Sequence, residues 1–261
     1  MIGVFDNGFI LAYSLIITMI FGAVIGSAVN CLAWRIVHGE SWLSGKSHCA
    51  ECGHELGLPD LIPVFSYLFL RGRCRYCHQK ISPRYVIVEV CMAVLYAGIL
   101  LHYGGFCLNV LRDMGLTAIL MGLSLVDLDI YEIPDRFIVA GIVWWLVFVL
   151  LDGNRLNLLK QGVISGLVIA GSMLVLSLVM DRILKKESMG GGDIKLFFMV
   201  CLYLSLAESL FCLILACITG LLFVVLLKND KIPFGPAISI AVYITLIVGN
   251  GVVSWYMGFF S

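Results

Sequence analysis

The chain has 261 residues, 61% of them hydrophobic, and a mean hydropathy of +1.03. A soluble domain is about half apolar, so this excess, spread along nearly the whole length, means an integral membrane protein. Seventeen basic residues balance seventeen acidic ones, which excludes a broad nucleic-acid-binding surface.

The first apolar stretch runs from Asn7 to Trp34 without a charge. It is too long for the core of a secretory signal and no basic segment precedes it, so it reads as a first transmembrane helix and not as a cleavable leader. A polar stretch, residues 35–84, follows. Seven further apolar segments complete the chain, and the eight expected spans are 9–33, 85–103, 107–126, 136–151, 161–181, 195–207, 209–227 and 236–257. A bilayer core takes about 20 apolar residues per helix. The first, second, fifth, seventh and eighth spans meet that length. The third, fourth and sixth are shorter between charges (Met114 to Val126, Phe137 to Leu151, Leu196 to Ala207). Either their polar ends sit inside the protein or one of them is re-entrant.

Lysine and arginine counts orient this topology. With the N-terminus outside, the inside loops hold Arg35, Lys46, Arg71, Arg73, Arg75, Lys80, Arg84, Arg136, Arg182, Lys185, Lys186, Lys195, Lys228 and Lys231, fourteen in all. The outside loops hold three: Arg112, Arg155 and Lys160. The bias places both termini outside and the long loop inside.

Residues 35–84 are the one loop large enough to fold by itself, and fifty residues build too little core to do so without a staple. Cys49-Ala50-Glu51-Cys52 and Cys74-Arg75-Tyr76-Cys77 offer one. Each CxxC brings two thiolates within reach of one ion, and the 21 residues between the pairs fit a four-cysteine zinc site. A redox CxxC or a disulfide pair competes with this reading. Disulfides do not persist in the cytoplasm, and two CxxC units suit one metal better than one redox couple. Four thiolates close the coordination shell, so the metal is expected to be structural; iron also accepts such a shell. Cys31, Cys91, Cys107, Cys201, Cys212 and Cys217 lie in apolar stretches and read as small buried hydrophobes.

Two aspartate motifs lie on the same expected face. One is Asp127-Leu128-Asp129-Ile130-Tyr131-Glu132-Ile133-Pro134-Asp135, the other Gly190-Gly191-Gly192-Asp193. The glycines permit unusual dihedrals and close approach of a substrate strand, and a helix N-terminus favours the Asp193 carboxylate. The bland alternatives are an ordinary N-cap aspartate and solvated helix ends. Two carboxylates that meet cannot both ionise cheaply and share a proton; the ionised one deprotonates water while the protonated one donates to a scissile carbonyl. Neither a Ser-His nucleophile pair nor an HExxH zinc motif occurs. Of the five histidines (His38, His48, His54, His78, His102) four lie in the loop, and all read as solvated polar residues.

With these residues in place the chain resembles the type IV prepilin peptidases, bifunctional leader peptidases and N-methyltransferases of pilus, type II secretion and competence systems. The resemblance rests on Gly26-Ser27 with Asn30 and Arg35; on Pro59 to Tyr67 leading into Leu70-Arg71-Gly72-Arg73-Cys74; and on Ile81 to Tyr85 with Glu89. The DxD…IPD element, Met189 to Lys195, and Ile232-Pro233-Phe234-Gly235-Pro236 complete it. It runs from about residue 22 to 240. Leu61, where the family often has Asn, and the Pro83-Arg84-Tyr85 run depart from the pattern.

The resemblance implies an all-α polytopic fold of about eight spans. Residues 1–34 would be the first helix, 35–84 a cytoplasmic zinc-binding domain and 85–261 a membrane aspartyl peptidase domain. It implies a GxGD protease of the bacterial inner membrane that cuts prepilin or pseudopilin leaders on the cytoplasmic side, after a glycine and before a hydrophobic stem. The new amine would then be methylated from S-adenosylmethionine. By family position the catalytic pair is Asp127 and Asp193, with Asp129 in reserve. Gly190 and Gly192 form the active-site loop, Cys49, Cys52, Cys74 and Cys77 hold zinc, and Gly72 matches a residue linked to methylation. Two other functions compete. A presenilin-like intramembrane protease has no use for the CxxC pairs. A transport or binding protein with a zinc docking module would place its aspartates at mid-bilayer in broken helices.

Overall fold

A computed structural model describes residues 8–41, 45–185, 189–227 and 233–259, without the side chains of Leu226 and Leu227. Lys186, Lys228 and Lys231 of the charge count, and Ile232 of the last motif, lie outside the described residues. The helices are α1 (Gly8–Val37), α2 (Phe65–Phe69), α3 (Arg84–Tyr103), α4 (Leu108–Ile130), α5 (Asp135–Leu151), α6 (Arg155–Leu184), α7 (Gly191–Cys201), α8 (Leu206–Leu227) and α9 (Gly235–Met257). A 3-10 turn covers Leu58–Asp60. Among the described residues there is no strand, only two isolated β-bridges.

Among the described residues, five helices are long and apolar enough to cross a membrane: α1, α3, α6, α8 and α9. They are the five segments whose length alone predicts a span. The other three fall short for different reasons. α4 carries Arg112, Asp113, Asp127 and Asp129. α5 has 17 residues. α7 has 11, about 16 Å of rise against a hydrocarbon core of about 30 Å.

The chain divides into two units, residues 1–114 and 115–261. In the first, α1 packs on α3. Gly22 and Gly26 make this possible: a Cβ on Gly22 would lie 2.7 Å from the Met92 carbonyl oxygen, and one on Gly26 3.0 Å from Glu89 Cα. Small residues four apart let membrane helices touch at their backbones. The opposite face of α1 presents Ile16, Ile17, Ile20 and Val24 outward. Such an apolar exterior is costly in water and natural in lipid. At the far end of α3 the Tyr103 hydroxyl donates to Asp113 at 2.7 Å and Arg112 Nε donates to the same carboxylate at 2.8 Å. Asp113 is thus buried with its charge partnered, as burial demands.

In the second unit α7 is the central element, with α5, α6 and α9 packed against it. Leu196, Phe197, Met199, Val200 and Cys201 are fully buried, so α7 does not need the length of a lipid-facing span. The sixth span, expected over 195–207, instead starts at Gly191 and ends at Cys201. The chain then turns, because Ser205 and Glu208 form a reciprocal cap: Ser205 N–H and Oγ donate to Glu208 Oε2 at 2.9 and 2.8 Å, and Glu208 N–H donates back at 3.3 Å. α4 and α9 are joined by the Ser124 hydroxyl, 2.8 Å from Ser239 Oγ. Of the six other cysteines, Cys201 and Cys212 are buried as expected, whereas Cys91 and Cys217 face outward from their helices.

Candidate active site and cysteine-rich loop

α4 runs four residues past the expected end of its span, so Asp127 sits within its last turns and not beyond them. It stops where Tyr131 takes a left-handed conformation (φ 57°) and its N–H closes on the Asp127 carbonyl at 2.9 Å. This ending splits the two candidate carboxylates. Asp127 is 3% exposed, while Asp129, two residues on, lies on the exposed side of the helix.

The second motif opens α7. Gly190 precedes the helix, and Asp193 is its third residue, in the first turn and not at the cap. The three glycines take ordinary dihedrals, with no positive φ among them. What they supply is space. A Cβ on Gly192 would lie 3.1 Å from Ile133 Cβ, and one on Gly190 3.1 Å from Asp193 Oδ2. The two motifs therefore pack directly on each other through Ile133 and Gly192. Beside that contact Lys195 Nζ donates to Asp135 at 2.8 Å, an exposed pair that aligns the two segments and adds little energy.

Asp193 is half-buried, in a helix too short to span. Burial, and then the nearby charge of Asp127, push its carboxyl up to about 6. Two aspartates 66 positions apart in sequence thus sense each other's charge. A third group, unread in the sequence, completes the site: the Gly235 N–H, first in α9, donates to Asp127 Oδ2 at 2.7 Å. Gly235 belongs to the motif of residues 232–236, but backbone donors leave no signature in side-chain chemistry.

The cysteine-rich loop consists of two matching knuckles. In the first, Cys49 N–H donates to the His54 carbonyl at 3.0 Å and Gly53 N–H to the Cys49 carbonyl at 2.9 Å. In the second, Cys74 N–H donates to Gln79 at 2.9 Å and His78 N–H to Cys74 at 3.0 Å. Gly53 and His78 occupy the left-handed corner in each (φ 68° and 61°), a conformation that histidine tolerates better than most residues. The Sγ atoms of Cys49, Cys52, Cys74 and Cys77 all lie within 4.8 Å of one another, with Cys49 and Cys77 at 3.9 Å. Four sulfurs about 2.3 Å from one tetrahedral zinc would sit about 3.8 Å apart, so the group fits the ion.

Behind the knuckles, Val64 is held at φ 64°, costly for a β-branched residue. Its N–H donates to the buried carboxylate of Glu89 on α3 at 2.7 Å, which fixes the entry to α2. Gly72 also has a positive φ (68°), and a Cβ there would meet the Tyr67 hydroxyl at 2.9 Å. Tyr67, Arg71, Gly72, Arg73 and Lys80 border a recess of about 450 Å³.

Residues 20–103 match the bacterial peptidase A24 N-terminal domain, and residues 114–225 match the type IV leader peptidase family. A type 4 prepilin-like proteins leader peptide-processing enzyme of Escherichia coli is 32% identical over 250 residues, covering 86% of this chain and 90% of that protein. The chain belongs to the type IV leader peptidase family. A prepilin leader peptidase/N-methyltransferase of Aeromonas hydrophila is 33% identical over 222 residues, 81% of this chain and 74% of the relative. One from Bacillus subtilis is 28% identical over 248 residues, 92% and 97% of the two chains. No solved structure matches. Membership makes the chain an aspartic-type peptidase, embedded in a membrane by several helices.

Two measurements follow from the geometry. Purified protein carries close to one zinc per chain by elemental analysis, and the Cys74→Ser/Cys77→Ser variant loses it together with the order of the loop; binding of this kind supplies on the order of 10 kcal/mol in zinc-finger peptides. A metal-free protein with an ordered loop contradicts the site. For Asp193 the raised carboxyl value sets the sign of a pH effect. The folded protein binds the extra proton between the ordinary carboxylate range near 4 and about 6, so stability falls as pH rises through that window. Asp193→Asn therefore melts higher than the unaltered protein at pH 7 and not at pH 4. An equal difference at both pH values contradicts the buried, raised carboxyl.

Proposed function

We propose that this peptidase cuts the leader of type IV prepilins or pseudopilins at the cytoplasmic face, after a glycine and before a hydrophobic stem, and N-methylates the residue so exposed. What supports the proteolytic reading is the nearness of Asp127 and Asp193, on separate helices, close enough for the charge of the first to raise the carboxyl of the second. In this reading the ionised carboxylate takes a proton from water, and the oxygen of that water attacks the scissile carbonyl carbon. The protonated carboxyl gives its proton to the carbonyl oxygen. Collapse of the tetrahedral species breaks the C–N bond: the amine leaves with the proton taken from water, and the hydroxyl proton returns to the second carboxyl. Asp129, exposed on the same helix, remains the reserve candidate.

The topology belongs to the same proposal. Helices α1 and α3 to α9 supply the eight expected spans, with both termini outside; α7, enclosed by other helices, stands at the place of the sixth without the length of a lipid-facing span. Residues 1–34 form the first span, 35–84 a cytoplasmic zinc-stapled domain and 85–261 the peptidase domain. The charge bias supports that orientation.

The relatives' names bring methylation to this chain. S-adenosylmethionine would supply the electrophilic methyl group. The recess beside Gly72 fits parts of that molecule: Arg71, Arg73 and Lys80 suit its carboxylate, and the Tyr67 ring offers a stacking face for its adenine. Gly72 lets the Tyr67 ring lie close against the backbone there, and a side chain at this position would push that ring aside.

Product mass from a reaction of purified protein, a leader-bearing prepilin and S-adenosylmethionine reads both activities. Asp127→Asn and Asp193→Asn each abolish cleavage in folded protein. Gly72→Val lowers the fraction of cut product that carries the methyl increment more than it lowers cleavage. Full cleavage by folded Asp193→Asn refutes the protease assignment. Loss in Asp129→Asn with normal cleavage by Asp127→Asn moves the first role to Asp129. Equal loss of both activities in Gly72→Val makes the loop a shared clamp or staple.

A further inference from the structure

Proteolysis by two carboxylates leaves open which one is the base. We infer that Asp127 carries the negative charge and activates the water, held in that state by the Gly235 N–H at the start of α9, and that Asp193 is the proton donor. The inference rests on the peptidase reading and deepens it.

The two carboxyls have different surroundings. Asp127 Oδ2 accepts the Gly235 N–H at 2.7 Å, at the length of a charge-assisted bond. An N–H donor stabilises a carboxylate over its acid, which has one fewer free acceptor site. Gly235 is the first residue of a 23-residue helix, so the donor is backed by the positive end of a long dipole. Burial acts on both carboxyls, but among the described residues no hydrogen bond reaches the Asp193 side chain, which lies beside Gly190 and the charge of Asp127. Shared between two such groups, one proton goes to Asp193.

The packing is specific to a residue without a side chain. A Cβ at position 235 would lie 2.7 Å from Asp127 Oδ2 and 3.0 Å from Leu123 Cδ2. The start of α9 is held in place from within: Ser239 Oγ donates to the Gly235 carbonyl at 2.8 Å and accepts from Ser124 Oγ on α4 at 2.8 Å. α4 and α9 are thus fastened one turn from the Asp127–Gly235 bond. Among the described residues, the charged groups near Asp127 are few. α7 contributes Asp193, with Lys195 paired to Asp135 of α5. The first turn of α9 has no charged residue, and Asp129 of α4 faces away. Gly235 is accordingly a positioning residue, acting on the reaction through Asp127.

The test is the pH profile of kcat/KM for prepilin cleavage by full-length protein in detergent, measured for the unaltered chain, Gly235→Ala, Ser239→Ala and Asp193→Asn. The acid limb reports ionisation of the base, the alkaline limb loss of the shared proton. Gly235→Ala displaces the Asp127 carboxylate from its donor. The expected result is a fall of about tenfold or more in kcat with KM little changed, and an acid limb moved up by about one pH unit while the alkaline limb stays. A merely structural role would lower activity without moving one limb alone. Ser239→Ala deletes a single hydroxyl and moves the same limb in the same direction by less; if Gly235→Ala does not fold, this variant decides. Movement of the alkaline limb alone, or unchanged profiles in both variants, overturns the inference while leaving the protease intact. Cleavage by Asp193→Asn overturns the dyad and this inference together.

Discussion

Two like charges in one poorly solvated place are the constraint on which the peptidase half of this molecule depends. In water Asp127 and Asp193 would both ionise at neutral pH and repel. Held at the ends of packed apolar helices they are brought close enough to share a proton, which is the reagent of the proposed reaction. Maintaining the pair requires rigid neighbours, because two carboxylates left free would turn away into solvent. Much of the second unit can be understood as that support. α7 is walled in by fully buried side chains, Gly192 lies against Ile133, and Ser124 and Ser239 fasten α9 to α4. α7 itself opens with Asp193 in its first turn and continues into fully buried apolar residues.

The first unit answers a different problem. Its polar loop is too small to fold on apolar burial, and three devices replace a core. The four cysteines draw two knuckles together. Glu89 reaches from α3 to hold Val64 in a conformation that a β-branched residue avoids. Tyr67 packs against Gly72, whose left-handed backbone and lack of a side chain permit the contact. A loop built from such local constraints keeps its cationic rim and shallow recess in one arrangement.

How far these features could be read from the sequence differs from one to the next, for physical reasons. Five spans were plain because lipid demands a length and a composition that a chain displays openly. The ends of α4 and α7 were not. α4 is closed by the left-handed Tyr131, and α7 begins inside the glycine run, and hydropathy registers neither. The cysteine spacing announced its cluster because thiolate coordination is local and regular. Only resemblance prefers Asp127 to Asp129 in the sequence, where two carboxylates two residues apart look alike; the fold buries the first and exposes the second. Gly190 and Gly192 were read as sources of unusual dihedrals, whereas the folded chain uses them for space at ordinary dihedrals. Gly235 sat in a recognised motif with no role attached, because its contribution is a backbone N–H that any residue except proline carries. Only the fold shows that this one points at a carboxylate.

The central claim is that residues 127 and 193 face each other across two helices and that residue 129 does not take part. Disulfide trapping tests it directly. In a chain whose six cysteines outside the metal cluster are replaced by alanine, Asp127→Cys/Asp193→Cys and Asp129→Cys/Asp193→Cys are compared for oxidative closure. Closure is read as resistance of residue 193 to thiol labelling that a reductant reverses. Rapid closure of the 127–193 pair with an open 129–193 pair is the predicted result. Closure of the 129–193 pair with an open 127–193 pair would contradict the account.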